Sequence, residues 1–286
     1  MSDWPQNRNF AGKTSQKEMK FVSLGSGSSG NCYFLCTAQT SILIDAGVGA
    51  RTMRRYFRDL GMQMGGLDAV FITHDHADHI KAVATFANEF NIPLYTTEQV
   101  YHGITRNYAV SGRIAPEKMR FLQKTVGVTV GDLTVTPFEV PHDSTDCVGY
   151  RVEHGGITFC LITDVGHATP TIEQEVARAN YLVLEANHDE DMLNMGPYPA
   201  YLKGRIKSDK GHLSNKSAAT LLAKHATPAL HHVWLCHLSE ENNHPELARK
   251  TVESILQSYG IQPGTDFKIE ILKRKTPSEV YELNEN

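Results

Sequence analysis

The stretch FITHDHADHI, residues 71–80, sets His74, His76, Asp78 and His79 directly behind an apolar run. Two histidines spaced two apart on extended chain can turn toward one metal ion. An aspartate and a histidine just beyond them, where a helix should begin, can face a second ion beside the first. Imidazoles and carboxylates suit zinc, manganese or iron. The competing reading is a solvated polar loop. So many ionisable groups immediately after AVFIT make that the weaker of the two.

A pair of adjacent ions needs further ligands and a bridge. His142 follows VTPFEVP, Asp164 follows ITFCLIT and His237 follows HVWLC. Each stands at the C-terminal end of a predicted buried strand. Strand ends converge on one edge of a sheet, where a rigid site can be assembled. Singly, each of the three is as readily an ordinary polar residue. Behind the histidine cluster they read as ligands.

The elements that must hold these residues are mostly short strands. Phe21–Leu24, Cys32–Cys36 and Ser41–Ile44 are apolar runs parted by turn residues, and they read as antiparallel strands. Residues 50–61 end in glycine and read as a helix, 68–73 as a buried strand and 79–90 as an amphipathic helix. A second β-rich block runs from Met119 to Asp164. After it come a helix at 170–178, a strand at 181–185 and a long polar loop through Gly196–Pro199. A helix at 215–226, a strand at 232–236, a helix at 245–259 and strands near 267–272 and 279–282 complete the chain. A β-rich meander with few helices thus occurs twice, over 20–90 and 119–185. That pattern predicts two packed sheets with helices outside, not a doubly wound parallel sheet. Residues 1–18 read as a flexible tail and 19–286 as one domain.

Composition sets limits. The 286 residues are 41% hydrophobic and 21% charged, with a net charge of −4, so no global charge calls for nucleic acid or membrane. The five cysteines are odd in number and lie in apolar runs, which fits free thiols in a reducing compartment. No signal peptide or membrane-spanning run is visible, and the expected location is the cytoplasm. The fourteen histidines are the unusual feature.

One motif invites a different reading. Gly25–Gly30 spells G-x-G-x-x-G, the pattern of a dinucleotide-binding turn. That turn needs a helix after its third glycine, whose N-terminus holds the pyrophosphate. Here NCYFLC follows, which reads as a strand. The loop is therefore expected to be a tight hairpin turn, and no nicotinamide cofactor is expected.

His-x-His-x-Asp-His followed by separate His, Asp and His at strand ends, with Asp45 ending SILID, resembles the metallo-β-lactamase superfamily. The resemblance runs from about Met19 to the C-terminus. It implies an α/β fold of the αββα four-layer sandwich type, two mixed β-sheets packed face to face with helices outside. It also implies two divalent ions, zinc or manganese, at the sheet edges. His74, His76 and His142 would hold one ion, Asp78, His79 and His237 the other, and Asp164 would bridge. Asp45 would orient the cluster. In such a fold the Gly25–Gly30 turn lies on the metal edge. Ser26, Ser28, Ser29 and Asn31 would then face substrate phosphate or the ligand loops, with a purely structural turn as the alternative.

An aspartate rather than a cysteine at 164 argues against the β-lactam hydrolases themselves. Glu185 in YLVLEANHD and His212 in SDKGHLSN are similar to the phosphodiesterase branch. There the histidine lies over the scissile phosphate as a general acid, the glutamate orients it, and a hydroxide between the ions attacks phosphorus. Asp78, Glu185 and His212 are the catalytic candidates. The segment before His212 carries Lys203, Arg205, Lys207 and Lys210 against the single acid Asp209, which suits a phosphate backbone, and Lys210 is the substrate-binding candidate. A second basic run, Arg51, Arg54, Arg55 and Arg58, is equally a solvated helix face. SLGSGSSGNCYF, THDHADHIKAV and HLSEENNHPE together resemble the YycJ/WalJ exonuclease group. That implies a 5′→3′ exonuclease on linear double-stranded DNA. The interval from Asp164 to His237 is too short for the inserted domain of the β-CASP nucleases. Small cyclic phosphodiesters, and thioesters or lactones, are the alternative substrates. An iron-based redox enzyme would need a flavin domain, and none is expected. The sequence leaves homo-oligomerisation open.

Overall fold

The computed structural model describes residues 18–110 and 112–285. Residues 1–17 of the expected tail therefore lie outside the described residues. In chain order the strands are β1 (Met19–Gly25), β2 (Cys32–Cys36), β3 (Ser41–Ile44), β4 (Ala69–Phe71), β5 (Leu94–Thr96) and β6 (Met119–Phe121), which form one sheet. A second sheet takes β7 (Val128–Val130), β8 (Leu133–Glu139), β9 (Val148–His154), β10 (Ile157–Ile162), β11 (Tyr181–Glu185), β12 (His232–Cys236) and β13 (Lys268–Ile271). β14 (Tyr281–Leu283) crosses back to pair with β1, so each sheet has seven strands.

The central strands β2, β3, β4, β11 and β12 are buried on both faces because both faces are covered. In β2, Tyr33 and Leu35 point between the sheets, while Cys32, Phe34 and Cys36 point outward under helices. In β12, Trp234 and Cys236 point inward, while Val233 and Leu235 point outward. Phe21, Phe159 and Trp234 interlock in the middle layer, with ring centroids 4.8–6.5 Å apart. Truncating one of these to alanine would cost about 3–5 kcal/mol. Helix α1 (Ala50–Asp59), the short helices α2 (Ala77–Ile80) and α3 (Val83–Asn88), and α4 (Glu98–Arg106) cover the first sheet. Helices α5 (Pro170–Arg178), α6 (Glu190–Met195), α7 (Ala200–Ile206), α8 (Asn215–His225) and α9 (Pro245–Ser258) belong to the second half of the chain, and α5, α8 and α9 cover the second sheet. This is the expected four-layer αββα sandwich of two mixed sheets. All five cysteines are buried thiols. Among the described residues no helix is long and apolar enough to cross a membrane.

Each sheet repeats one pattern of pairing. From β14 through β1 and β2 to β3 the neighbours are antiparallel, and from β3 through β4 and β5 to β6 they are parallel. From β7 through β8 and β9 to β10 they are again antiparallel, and from β10 through β11 and β12 to β13 parallel. β3 and β10 are thus the equivalent switch strands, and Asp45 and Asp164 stand just beyond them.

Two expectations about elements need correction. The helix read at 79–90 is broken between α2 and α3. The Ala82 N–H donates to Ala46 O instead of continuing the helical ladder, and Asp78 O accepts from Asn31 N–H, both at 2.8 Å. The long polar loop around Gly196–Pro199 contains α6 and α7. Asp189 caps α6 by accepting from the N–H groups of Asp191 and Met192, and α7 starts directly after Pro199. Residues 94–106, to which the sequence reading assigns no element, form β5 and α4, the latter capped by Thr97.

Candidate metal centre and active site

The seven candidate ligands meet at the C-terminal edge of the central strands of both sheets. His74 and His76 come from the loop after β4, and Asp78 and His79 from α2. His142 follows β8, Asp164 follows β10 and His237 follows β12. Ligand atoms of His74, His76 and His142 lie within 4.8 Å of one another, and so do those of Asp78, His79 and His237. Asp164 reaches both groups. Its Oδ1 is 3.7 Å from His142 Nε2 and 3.4 Å from His237 Nδ1, and its Oδ2 is 3.3 Å from His79 Nε2.

Each imidazole is anchored through one ring nitrogen and presents the other to the cluster. His74 Nδ1 is 2.9 Å from Thr73 Oγ1, His79 Nδ1 is 2.7 Å from Asp45 Oδ2, and His142 Nδ1 donates to Gly211 O at 3.1 Å. His237 Nδ1 is 2.9 Å from Glu185 Oε1, and His76 Nε2 is 3.3 Å from Asp143 O. Such anchoring fixes tautomer and ring orientation before any ion arrives. His74 Nε2 and His237 Nε2 are buried with no hydrogen-bond partner. Buried polar atoms are seldom left that way, and an ion would satisfy both. The donor set therefore fits divalent metal.

The two ligand groups differ in charge when no ion is bound. Burial opposes a charge on His79, yet the carboxylates of Asp45, Asp164 and Asp78 outweigh it and push the ring up to about 10. Burial would raise Asp78, but His79 and His237 bring it down to about 2. Burial lowers His74 well below its ordinary value and also lowers His142, so both stay neutral, as ligands must.

Glu185 and His212 adjoin the cluster. Both Glu185 oxygens are used. Oε1 accepts from His212 Nδ1 at 2.8 Å and from His237 Nδ1, while Oε2 accepts from the N–H groups of Val165 and Leu213 at 2.8 and 3.1 Å. Burial would raise its pKa, but His212 and His237 hold it down to about 2. Although Glu185 lies close enough to Asp164, His212 and His237 to count with them as a metal-holding group, it has no lone pair turned to the centre. It orients histidines. The His212 ring is tilted against those of His142 and His237, with centroids 5.1 Å and 5.4 Å away, at the solvent side of the cluster.

The glycine-rich turn links β1 to β2 as expected, but two of its substrate candidates have other tasks. Ser26 is fully buried. Its Oγ accepts from the His237 N–H at 2.9 Å and pairs with the Tyr33 hydroxyl. Asn31 is also fully buried. Its amide donates to Asp78 Oδ2 at 3.2 Å and to Gly27 O, and stands 2.9 Å from His79 Nε2. Both act on the ligand loops because their side chains are buried against His237, Asp78 and His79. Ser28 and Ser29 are exposed, and so is Lys210, on the approach to His212. Of the other basic residues there, Arg205 is bound to Asp143 beside His142, and Lys203 and Lys207 are bound to Asn194.

Sequence reasoning missed several supports. Thr73 donates through its backbone and hydroxyl to Asp45 and braces His74. Asn187 donates to His237 O at 2.9 Å. Gly47 permits the Asp78 carbonyl to press against it, where a Cβ would come within 1.6 Å of that oxygen. Asp45, Asp164 and His237 all adopt left-handed backbone, with φ of 62°, 55° and 55°. Strain of this kind costs on the order of 1–3 kcal/mol per residue and concentrates at functional sites. The position of Asp45 at a strand end is the one sequence signal among these.

Fold and site together define a metal-dependent hydrolase, and the chain belongs to the beta-lactamase superfamily, whose domain model matches residues 40–237. Nearer relatives are nucleases by name. The chain is 33% identical to exodeoxyribonuclease YycJ of Bacillus anthracis over 92% of its own length and 98% of that protein's. It is 33% identical to exodeoxyribonuclease WalJ of Streptococcus pneumoniae strain D39, over 87% and 93% of the two chains. Among solved structures, the metallo-beta-lactamase fold protein YhfI from Bacillus subtilis matches with a TM-score of 0.68. It is 18% identical and covers 93% of this chain and 99% of that one.

Proposed function

We propose that the chain is a 5′→3′ exonuclease on linear double-stranded DNA that works with two divalent ions, zinc or manganese. His74, His76 and His142 would hold one ion, Asp78, His79 and His237 the other, and Asp164 would touch both. Bound ions would supply a water activated for attack and positive charge opposite the phosphodiester. The chain's own residues do the rest. Asp45, Thr73, Asn31 and Ser26 hold the ligands in place. Glu185 keeps a proton on His212 Nδ1, which turns the remaining nitrogen of His212 outward to donate a proton to the leaving oxygen.

The observation that carries this reading is the Glu185–His212 pair set against the His/Asp cluster. A thioesterase or lactonase would leave His212 without a task, although Glu185 would still orient His237. The named nuclease relatives support DNA as the substrate. The test is a time course on end-labelled linear duplex with zinc or manganese, beside His76→Ala and His212→Ala. We expect label loss from the 5′ end. His212→Ala should be slowed by about 10²–10⁴ while keeping its ions, and His76→Ala should lose both ions and activity. Variants as fast as the wild type would overturn the assignment.

A further inference from the structure

Beside the metal centre, on the other side of the glycine-rich turn, lies a cavity of about 290 Å³. Its polar lining is Arg55, Arg274, Lys275, Ser29, Thr52 and Tyr56, and among the described residues no carboxylate lines it. In a chain of net charge −4 that is a local excess of positive charge. Of the four arginines of α1, Arg55 is the one that lines the cavity. Arg54 pairs with Glu89 and Arg58 with Asp59, whereas Arg55 lies over the Tyr56 ring with no acidic partner among the described residues. Arg274 is fixed, since its guanidinium donates to Ser239 O at 2.8 Å and its stem lies over Gly27. Lys275 is shared with Glu240 at 2.9 Å in an exposed pair that solvent screens. The N-terminus of α1, capped by no side chain, adds N–H donors beside Gly49.

The turn places this cavity and the metal ligands back to back. Ser29 and Gly30 line the cavity, while the next residue, Asn31, donates to Asp78 and stands against His79. At the other end of the turn Ser26 holds the His237 backbone. An anion in the cavity would therefore sit one loop away from a phosphodiester at the metals. We infer that the cavity holds a second phosphate of the same nucleic-acid strand, while another phosphate of that strand is cut. A ligand with a single phosphate cannot occupy both places, so the arrangement selects a polyanionic strand over a small cyclic diester. This rests on the nuclease reading above and deepens it. The phosphate is either the 5′-terminal monoester or an internal diester.

Arg55→Glu, together with Lys275→Ala, tests this. Both side chains are exposed and leave the Arg274 brace intact, and thermal unfolding checks the fold. Binding of a short labelled linear duplex, 5′-phosphorylated or 5′-hydroxyl, is measured across a salt series. Hydrolysis of bis(p-nitrophenyl) phosphate is followed in parallel. We expect Arg55→Glu to weaken duplex binding about tenfold at low salt and to reduce the slope of log K against log salt by about 1, with Lys275→Ala acting less. Small-ester hydrolysis should stay at the wild-type rate. A loss confined to the 5′-phosphorylated duplex assigns the terminal monoester, and an equal loss on both duplexes assigns an internal diester. Unchanged affinity and slope would overturn the inference and leave the nuclease reading standing. Equal loss on the small ester would also overturn it, because the substitution would then be acting through the turn. A wild-type protein that neither binds nor cuts duplex would bring down both.

Discussion

Asp45 and Asp164 occupy one position in two copies of the same pairing pattern. Each stands just beyond the strand where its sheet changes from antiparallel to parallel neighbours, and each has left-handed backbone there. Their surroundings differ. Asp45 is saturated by protein: Oδ1 accepts from the Thr73 N–H at 2.8 Å, both oxygens lie within 3.0 Å of the Thr73 hydroxyl, and Oδ2 meets His79 Nδ1. Asp164 receives one hydroxyl, from Thr163, and otherwise faces His79, His142, His212 and His237. Burial raises the Asp45 carboxyl above its ordinary value against the pull of His79 and Thr73. Burial also works on Asp164, but His237 and His79 overcome it and hold the group well below its ordinary value. Equivalent backbone positions thus bring two carboxylates to the same edge, and the side chains opposite decide which one holds ligands and which one is left open to an ion.

Asp164→Asn should break this comparison most severely. The amide keeps the shape but presents an NH₂ donor or a neutral oxygen to four imidazoles, those of His79, His142, His212 and His237. We expect ion content to fall below one per chain and hydrolysis of bis(p-nitrophenyl) phosphate to drop by about 10³ or more, since a charge at the reacting centre is lost. Metal analysis after dialysis and initial rates check it. Near-normal ion content would mean that Asp164 is not a ligand.

Asp45→Asn should act more mildly, because Asp45 would reach a bound ion only through His79. Partners of this kind typically contribute 10–100-fold in metal affinity. The expected result is that fall in affinity, with activity restored when the metal concentration is raised. Titration with zinc against a competing chelator measures the first and rates at saturating metal the second. If Asp164→Asn were rescued by metal to the same degree, the distinction between the two carboxylates would collapse.

The same division separates what the sequence revealed from what it concealed. His74, His76, Asp78 and His79 are legible because metal chemistry demands particular residue types, and here they are local. His142, Asp164 and His237 are legible because the ends of buried strands gather on one edge. The burial of Ser26 and Asn31, the bracing by Thr73 and the break between α2 and α3 depend on hydrogen bonds between distant segments. The close contact of Asn31, Ala46 and Gly47 with Asp78–Ala82 has no local signature, so a continuous amphipathic pattern over 79–90 read as one helix. Helices α6 and α7 were hidden by polar composition, although Asp189 and Pro199 mark their starts. The sandwich itself was legible because both faces of its central strands are apolar, and the equivalence of Asp45 and Asp164 emerges only from the strand order.

The smallest effect we expect concerns protons. Without ions, His79 keeps its proton up to about 10, because Asp45, Asp164 and Asp78 surround it, and His237 is raised well above its ordinary value against burial by Asp164, Asp78 and Glu185. A divalent ion held by both rings would need a nitrogen of each, so the rings would have to return to the neutral form and release their extra protons. The ion-free protein binds more protons than the loaded one, so metal affinity should rise with pH through the neutral range and level off near 10, where His79 is neutral without help. Calorimetric zinc titrations at pH 7.5 in buffers of different ionisation enthalpy should report release of about two protons per chain loaded. Asp45→Asn should lower that number, since it removes the first of the carboxylates holding the His79 proton, while leaving Asp164 to hold the His237 proton. Release that is zero, or that is identical in wild type and Asp45→Asn, would show that Asp45 does not govern the charge on His79, and its part in the cluster would shrink to a purely steric one.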